Sequence, residues 1–179
     1  MAEQIPQEST SPTLAKHLEA ALVTPRRYLN EDEFDDLVDA FEDSDDNADG
    51  FVTREEFAAA RERFSIAEDE LDALRGSLEL TPDGRVSLAE VLALRAHAKI
   101  RERAELIRTS FTTVDTNADG LIDLDELAAF MVESGAGDVQ AERDHMLAML
   151  DVDGDSQISL DEFLGYNLDV AYPPLDGDA

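Results

Sequence analysis

The chain has 179 residues, enough for one domain of ordinary size or two small lobes, and 43% of them are hydrophobic, which suffices for a buried core. Its 43 acidic side chains outnumber 14 basic ones, and the net charge of −29 disfavours nucleic acid as a partner. Cysteine is absent, which excludes disulfides, thiolate nucleophiles and thiolate metal sites.

Residues 1–30 are predicted to form an N-terminal arm with one extra helix. The first residues have neither the basic start and apolar run of a signal peptide nor a glycine at position 2 for myristoylation, so we expect no export and no lipid anchor. Ser11 and Pro12 are typical of an N-cap and a first helical residue, and apolar residues recur at helical spacing over residues 13–23. This helix either packs on the body of the protein or fills a groove that ligand binding opens.

Four similar segments follow, beginning at Asp45, Glu79, Asp115 and Asp151, with spacings of 34, 36 and 36 residues. Apolar residues at helical spacing precede and follow the segments, so each segment is predicted to join two helices. In three of the segments Asp or Asn stands at the first, third and fifth positions, and a glutamate stands at the twelfth.

These segments resemble EF-hands, whose signature is D-x-[DN]-x-[DN]-G followed, after five further residues, by Glu. The resemblance covers about residues 31–170, and the four units with a weak second copy are most similar to the sarcoplasmic calcium-binding protein and calerythrin group. It implies an all-α fold with two pairs of helix-loop-helix units, at 31–98 and 99–170, and short β-bridges between paired loops. A tail of residues 171–179 would follow.

The resemblance also implies a set of oxygen ligands for Ca²⁺, a hard cation that takes six to eight oxygens at about 2.3–2.6 Å. The first loop would supply Asp45, Asn47, Asp49, the carbonyl of Phe51, Thr53 and Glu56. The third would supply Asp115, Asn117, Asp119, the carbonyl of Leu121, Asp123 and Glu126, and the fourth Asp151, Asp153, Asp155, the carbonyl of Gln157, Ser159 and Glu162. We therefore expect about three Ca²⁺ ions, with Mg²⁺ as a competitor.

Two loops depart from this pattern. In the fourth loop Ser156 replaces the glycine at a bend of positive φ, which costs on the order of 1–2 kcal/mol and should weaken the site without abolishing it. In the second loop Thr81 offers no carboxylate, Glu79 is one methylene too long and Pro82 stiffens the backbone. We predict that the second loop binds Ca²⁺ poorly or not at all and supports its neighbour.

The pairing of the loops is predicted from a β-branched residue at the eighth place of each, which suits a short antiparallel bridge: Val52, Val86, Ile122 and Ile158. The first loop should pair with the second and the third with the fourth. A capping box at residues 65–68 and the Gly135-Ala136-Gly137 break separate the helices inside each pair. Glycine and proline are absent from Arg85 through Asp119, so either one long helix or a bent segment joins the pairs.

Some residues that could mark other functions have a plainer interpretation. The methionines are interpreted as core residues in preference to a target groove: Met131, Met146 and Met149. The histidines lack any catalytic or zinc-binding motif and are interpreted as surface or helix-face residues: His17, His97 and His145. The apolar tail at 170–175 either covers a groove or frays.

Two functions fit these patterns. The first is a monomeric cytoplasmic Ca²⁺ buffer, in which the metal completes the fold. The alternative is a Ca²⁺ sensor that opens on metal binding and engages a partner helix. We do not expect an enzyme, because the four units occupy almost the whole chain and leave few residues for a catalytic site. No stretch of the sequence is long and apolar enough for a membrane span.

Overall fold

The computed structural model describes residues 11–60, 63–64, 85–135 and 137–173, without the side chains of residues 54, 55 and 58. The predicted capping box at 65–68 and most of the second loop, including Glu79, Thr81 and Pro82, lie outside the described residues. The described part is helical apart from four two-residue strands and a 3-10 helix at Pro25–Arg27, which confirms the all-α fold. Its helices are α1 (Pro12–Val23), α2 (Glu31–Glu42), α3 (Arg54–Ala60), α4 (Leu88–Val114), α5 (Leu124–Glu133), α6 (Val139–Leu150) and α7 (Leu160–Ala171). Its strands are β1 (Phe51–Val52), β2 (Val86–Ser87), β3 (Leu121–Ile122) and β4 (Ile158–Ser159).

The chain divides into two compact units. Of the described residues, those within 18–103 and those at 172–173 form the N-terminal unit, and those within 11–17 and 104–171 form the C-terminal unit. No helix within the described ranges combines the length and the hydropathy that a membrane crossing requires.

In the N-terminal unit, α2 begins at a capping box that the sequence analysis did not anticipate. The Asn30 side chain accepts the N–H of Glu33 at 2.8 Å, and the Glu33 carboxylate accepts the N–H of Asn30 at 3.0 Å. The apolar face of α2 packs against residues that follow the first loop, including the stacked rings of Phe57 and Phe64, whose centroids are 5.0 Å apart. Strands β1 and β2 are antiparallel, and Val52 pairs with Val86.

The C-terminal unit repeats this arrangement. Strands β3 and β4 are antiparallel, and Ile122 pairs with Ile158, so the predicted bridges through the eighth loop residue are confirmed in both pairs. Both isoleucines are buried in a core with Phe111, Val114 and Leu127. Helix α5 ends at Glu133, and Gly135 has a φ of +77°, which confirms the predicted break.

Helix α1 begins at Pro12, as predicted, and the Ser11 hydroxyl accepts the N–H of Leu14 at 3.2 Å. Its first turn packs on α7. The Asp161 carboxylate accepts hydrogen bonds from the Ser11 hydroxyl, from the Thr13 hydroxyl at 2.8 Å and from the Thr13 N–H at 3.3 Å. Gly165, one turn further along α7, leaves room for Thr13, since a Cβ there would lie 3.3 Å from Thr13 Cγ2. The arm helix is thus fixed to the residue that precedes Glu162.

Helix α4 is uninterrupted over 27 residues, which confirms the long-helix alternative. On the N-terminal half of α4, two basic side chains contact one acidic residue. The Glu33 carboxylate accepts a hydrogen bond from Lys99 Nζ and lies 3.9 Å from Arg95 Nη2. These contacts tie α4 to the start of α2 within the N-terminal unit.

Of the three histidines interpreted as surface or helix-face residues, His145 is exposed, whereas His17 and His97 lie on helices α1 and α4 with their side chains buried. His17 is 1% exposed, with Nε2 3.4 Å from Asp169 Oδ1, and His97 is 5% exposed on α4. A neutral imidazole can be buried at modest cost, and burial lowers the pKa of His97 below its ordinary value, so it is uncharged at neutral pH. Helical spacing alone did not show that these positions face inward.

The start of the tail is held in the N-terminal unit. The Tyr172 carbonyl accepts hydrogen bonds from Arg27 Nε at 2.8 Å and Nη2 at 2.6 Å, and the Tyr172 ring lies 5.0 Å from that of Tyr28. The tail is therefore not frayed at Tyr172. Residues 174 and 175, which belong to the same predicted tail, lie outside the described range.

Candidate metal centres

The first loop is folded by hydrogen bonds from its own backbone to its predicted ligands. Asp45 accepts the N–H of Asp49 at 3.2 Å and of Gly50 at 2.8 Å, and Asn47 Oδ1 accepts the same Asp49 N–H at 2.9 Å. Asp49 Oδ1 in turn accepts the N–H of Phe51 at 3.0 Å. Gly50, with a φ of +82°, makes the bend. The three side chains therefore fold back over one short segment of backbone.

The third loop repeats these bonds. Asp115 accepts the N–H of Asp119 at 3.2 Å and of Gly120 at 3.0 Å, while Asn117 Oδ1 accepts the Asp119 N–H at 2.8 Å. Asp119 Oδ1 accepts the N–H of Leu121 at 3.0 Å. Asp115 is only 8% exposed, so this loop begins partly inside the protein.

The fourth loop keeps most of this scheme despite its departure from the signature, but its first residue accepts the N–H of the fourth loop residue instead of the fifth. Asp151 accepts the N–H of Gly154 at 2.7 Å and of Ser156 at 3.0 Å, and Ser156 has a φ of +68°, which confirms the predicted left-handed bend at a non-glycine residue. Oxygens from three carboxylates lie within 4.8 Å of one another: Asp151, Asp153 and Asp155. Such crowding of like charges is unfavourable without a cation.

Two of the three closing glutamates bridge both ends of their loop. Glu126 Oε1 accepts the N–H groups of Thr116 at 2.9 Å and Asn117 at 3.0 Å, while its Oε2 accepts the N–H of Asp123 at 3.1 Å. Glu162 does the same, with Oε1 2.8 Å from the N–H nitrogen of Val152 and Oε2 bound to Ser159. These side chains already turn into the loop.

Glu56 is held differently. Its Oε2 accepts the N–H of Thr53 at 2.9 Å and the Thr53 hydroxyl at 2.8 Å, and among the described residues its Oε1 receives no hydrogen bond. Glu90, which closes the second loop, binds the N–H and hydroxyl of Ser87 in the same way, at 2.6 and 2.7 Å. The first loop is thus less tightly closed than the third and fourth.

The hydrogen bonds also set the protonation of the closing carboxyls. Burial raises the pKa of Glu126, but hydrogen bonds from Asp123, Asn117 and Thr116 outweigh that effect and hold the pKa below its usual range. Burial likewise opposes ionisation of Glu162, and hydrogen bonds from Ser159 and from the start of the loop lower its pKa overall. Both carboxylates are therefore ionised at neutral pH, the form that a cation needs.

Sequence reasoning missed one residue at these loops, Arg85. Its Nη1 lies 2.9 Å from Asp49 Oδ2, and its guanidinium carbon lies 4.5 Å from the centroid of the Phe51 ring. The sequence did offer a sign of this contact, because Arg85 directly precedes the predicted bridge residue Val86. The β-bridge between the paired loops brings Arg85 beside the first loop.

All predicted ligands of the three loops lie in described residues, and in each loop the side chains of the first, third and fifth loop residues accept N–H groups of that loop's own backbone. Within the described ranges, oxygens of three acidic residues lie within 4.8 Å of one another in the fourth loop alone. Oxygen alone is offered, without sulfur or imidazole nitrogen, and several donors are carboxylates. This donor chemistry fits a hard divalent cation such as Ca²⁺ or Mg²⁺ and does not favour zinc or copper.

Comparisons with known proteins agree with this chemistry. Residues 104–166 match the model of an EF-hand domain pair, and residues 37–59 match an EF-hand model. The chain is 30% identical over 139 residues to calcium-dependent protein kinase 16 of Oryza sativa subsp. japonica, covering 76% of this chain but only 25% of the kinase. It is 30% identical over 141 residues to the probable calcium-binding protein CML11 of the same plant, covering 75% of this chain and 67% of that protein. It is 29% identical over 133 residues to the 16 kDa calcium-binding protein of Schistosoma mansoni, covering 72% and 91%.

Proposed function

Because this chain belongs to the EF-hand family of calcium-binding proteins, we propose that its loops at 45–56, 115–126 and 151–162 each bind one Ca²⁺ ion. The observation that carries this proposal is the repeated scaffold, in which side-chain oxygens fold over one bend of positive φ and a glutamate stands at the end of the loop. The remaining ligands are those predicted above, including the backbone carbonyls of the seventh loop residues.

Calorimetric titration of metal-stripped protein tests this assignment. Three binding events are expected, and each of E56Q, E126Q and E162Q should remove or strongly weaken one of them, because an amide cannot supply a bidentate anionic ligand. D125N is the matched control, since Asp125 is an exposed carboxylate beside Glu126 but outside the ligand set. A glutamate variant that retains three events of wild-type affinity would exclude its loop.

For the physiological role, an apolar cavity in the C-terminal unit favours the sensor. Its volume is about 330 Å³, and Phe130 and Tyr166 at its edge are 36% and 37% exposed. Of the three methionines assigned to the core, Met131 is buried in it, Met146 packs against it and also lines this cavity, and Met149 is 38% exposed. An open apolar cavity of this size suits the apolar face of a partner helix. The kinase relative is calcium-dependent, as its name states, which supports the same role.

The buffer remains the second candidate, favoured by the number of loops and the large acidic surplus. A hydrophobic fluorescent dye separates the two roles. A strong rise of dye fluorescence on Ca²⁺ loading supports the sensor, whereas a fall supports the buffer. F130S, which removes an aromatic edge of the cavity, should abolish the rise if the dye reports on this cavity.

Three further parts of the proposal extend beyond the comparisons. The protein acts in the cytoplasm, it is a monomer, and its second loop binds Ca²⁺ poorly or not at all and supports the first. A place in the sarcoplasmic and calerythrin group also stays a hypothesis, which rests on the four-unit pattern and the departures in the second loop.

A further inference from the structure

Among the described residues, the first loop differs from the third and fourth loops because one of its predicted ligands, Asp49, forms an ion pair with a basic side chain. Arg85 occupies the seventh place of the second loop, directly before β2, and the β1–β2 bridge brings it beside the first loop. Its guanidinium forms an ion pair with Asp49 at 2.9 Å and lies over the Phe51 ring at 4.5 Å. Two contacts thus hold a positive charge against a predicted calcium ligand.

Arg85 donates a hydrogen bond to Asp49 Oδ2, the oxygen that Asp49 would offer to a metal ion. In all three loops Oδ1 of the fifth residue accepts the N–H of the seventh, at 3.0 Å for Asp49, 3.0 Å for Asp119 and 2.8 Å for Asp155. This leaves Oδ2 as the oxygen for a cation. In the first loop Oδ2 of Asp49 already accepts Arg85 Nη1 at 2.9 Å and Asn47 Nδ2 at 3.3 Å.

The other pair provides an internal comparison. The register Val52 with Val86 corresponds to Ile122 with Ile158, so Arg85 corresponds to Gln157. Gln157 carries no charge, and Asp119 forms no ion pair with any side chain in the described ranges. The two pairs share their backbone register, and at this position they differ in charge.

We propose that Arg85 competes with Ca²⁺ for Asp49 and makes the first loop the weakest of the three sites. This inference rests on the proposed function, since it requires that the first loop binds Ca²⁺. The side chains of Arg85 and Asp49 are 33% and 39% exposed, so the ion pair is of modest strength and its removal should raise the affinity of the first loop about threefold to tenfold. The competition also stabilises the metal-free loop, because Arg85 offsets repulsion among its carboxylates.

An NMR titration of the full chain with CaCl₂ tests the proposal, with the amide signals of Gly50 and Gly120 reporting the first and third loops separately. R85Q copies the neutral residue of the other pair and should raise affinity at Gly50 without changing it at Gly120. R63Q is the charge-matched control, since Arg63 lies 3.9 Å from Asp43, which is outside the ligand set, and both side chains are largely exposed.

The reverse transplant, Q157R, is independent of the folding of R85Q and should lower the affinity reported by Gly120 by a similar factor. The metal-free R85Q protein should also melt at a lower temperature than wild type, a readout that involves no calcium. Unchanged or weaker Ca²⁺ binding at Gly50 in R85Q, or unchanged binding at Gly120 in Q157R, would overturn the proposal. If E56Q leaves the Gly50 titration unaltered, the assignment of the first loop itself is wrong, and the two failures are thereby distinguished.

Discussion

The different closure of the first and third loops predicts different behaviour of two equivalent variants, E126Q and E56Q, in the absence of metal. Glu126 is 8% exposed and accepts four hydrogen bonds, from the Thr116 N–H and hydroxyl and from the N–H groups of Asn117 and Asp123. Glutamine replaces one accepting oxygen by an NH₂ group, which then faces N–H donors.

The magnitude follows from those contacts. E126Q loses at least one charge-assisted hydrogen bond and leaves a donor at a partly buried contact unpaired, which costs about 2–4 kcal/mol. Glu56 is less buried and uses a single oxygen, toward Thr53, and the amide oxygen of glutamine can keep that contact. We expect E56Q to cost at most about 1 kcal/mol.

Thermal unfolding of metal-stripped protein, followed by circular dichroism, measures the difference. At about 2–4 °C per kcal/mol for a chain of this size, E126Q should lower the Tm by about 5–15 °C and E56Q by less than about 4 °C. In the presence of Ca²⁺ both variants should lose one binding event. Equal Tm losses in the metal-free state would refute the argument that Glu126 closes its loop before metal arrives.

Three further variants test other parts of the structure. S156G removes the strain of a non-glycine residue at a φ of +68° and should raise the affinity of the fourth loop about threefold in an NMR titration, and weaker binding would contradict this. Burial lowers the pKa of His97 in the folded state, so as the pH falls below about 6.5 the histidine is protonated in the unfolded state before it is protonated in the folded state. The free energy of unfolding therefore decreases as the pH falls from about 6.5 to the lower pKa of the folded state. Urea unfolding of metal-stripped protein at pH 7.5 and 5.5 should show a smaller decrease for H97Q than for wild type. T13V deletes the 2.8 Å hydroxyl bond to Asp161 and should lower the Tm by about 2–4 °C, whereas T109V, which removes a bond within its own helix, should have less effect.

Much of the site could be predicted from local sequence, because an EF-hand loop is built from contacts among neighbouring residues. The Asp45-to-Gly50 bond spans five residues, and the positive φ of Ser156 lies at the bend of its own loop. The β-bridges join segments that are distant in the sequence, but they could still be predicted because each loop has a β-branched residue at its eighth position. The EF-hand resemblance and the ligand set that it implies therefore rest on residues that lie close together in the sequence.

The sequence by itself determined which oxygens each loop offers and which loops pair, since both depend on residue type at fixed short spacing. Only the tertiary structure decided that Arg85 lies on Asp49, that Thr13 is bound to Asp161, and that His97 faces inward. The first two contacts join residues 36 and 148 positions apart, and helical spacing does not specify which face of a helix another element will cover. The packing of helices and strands brings those groups together.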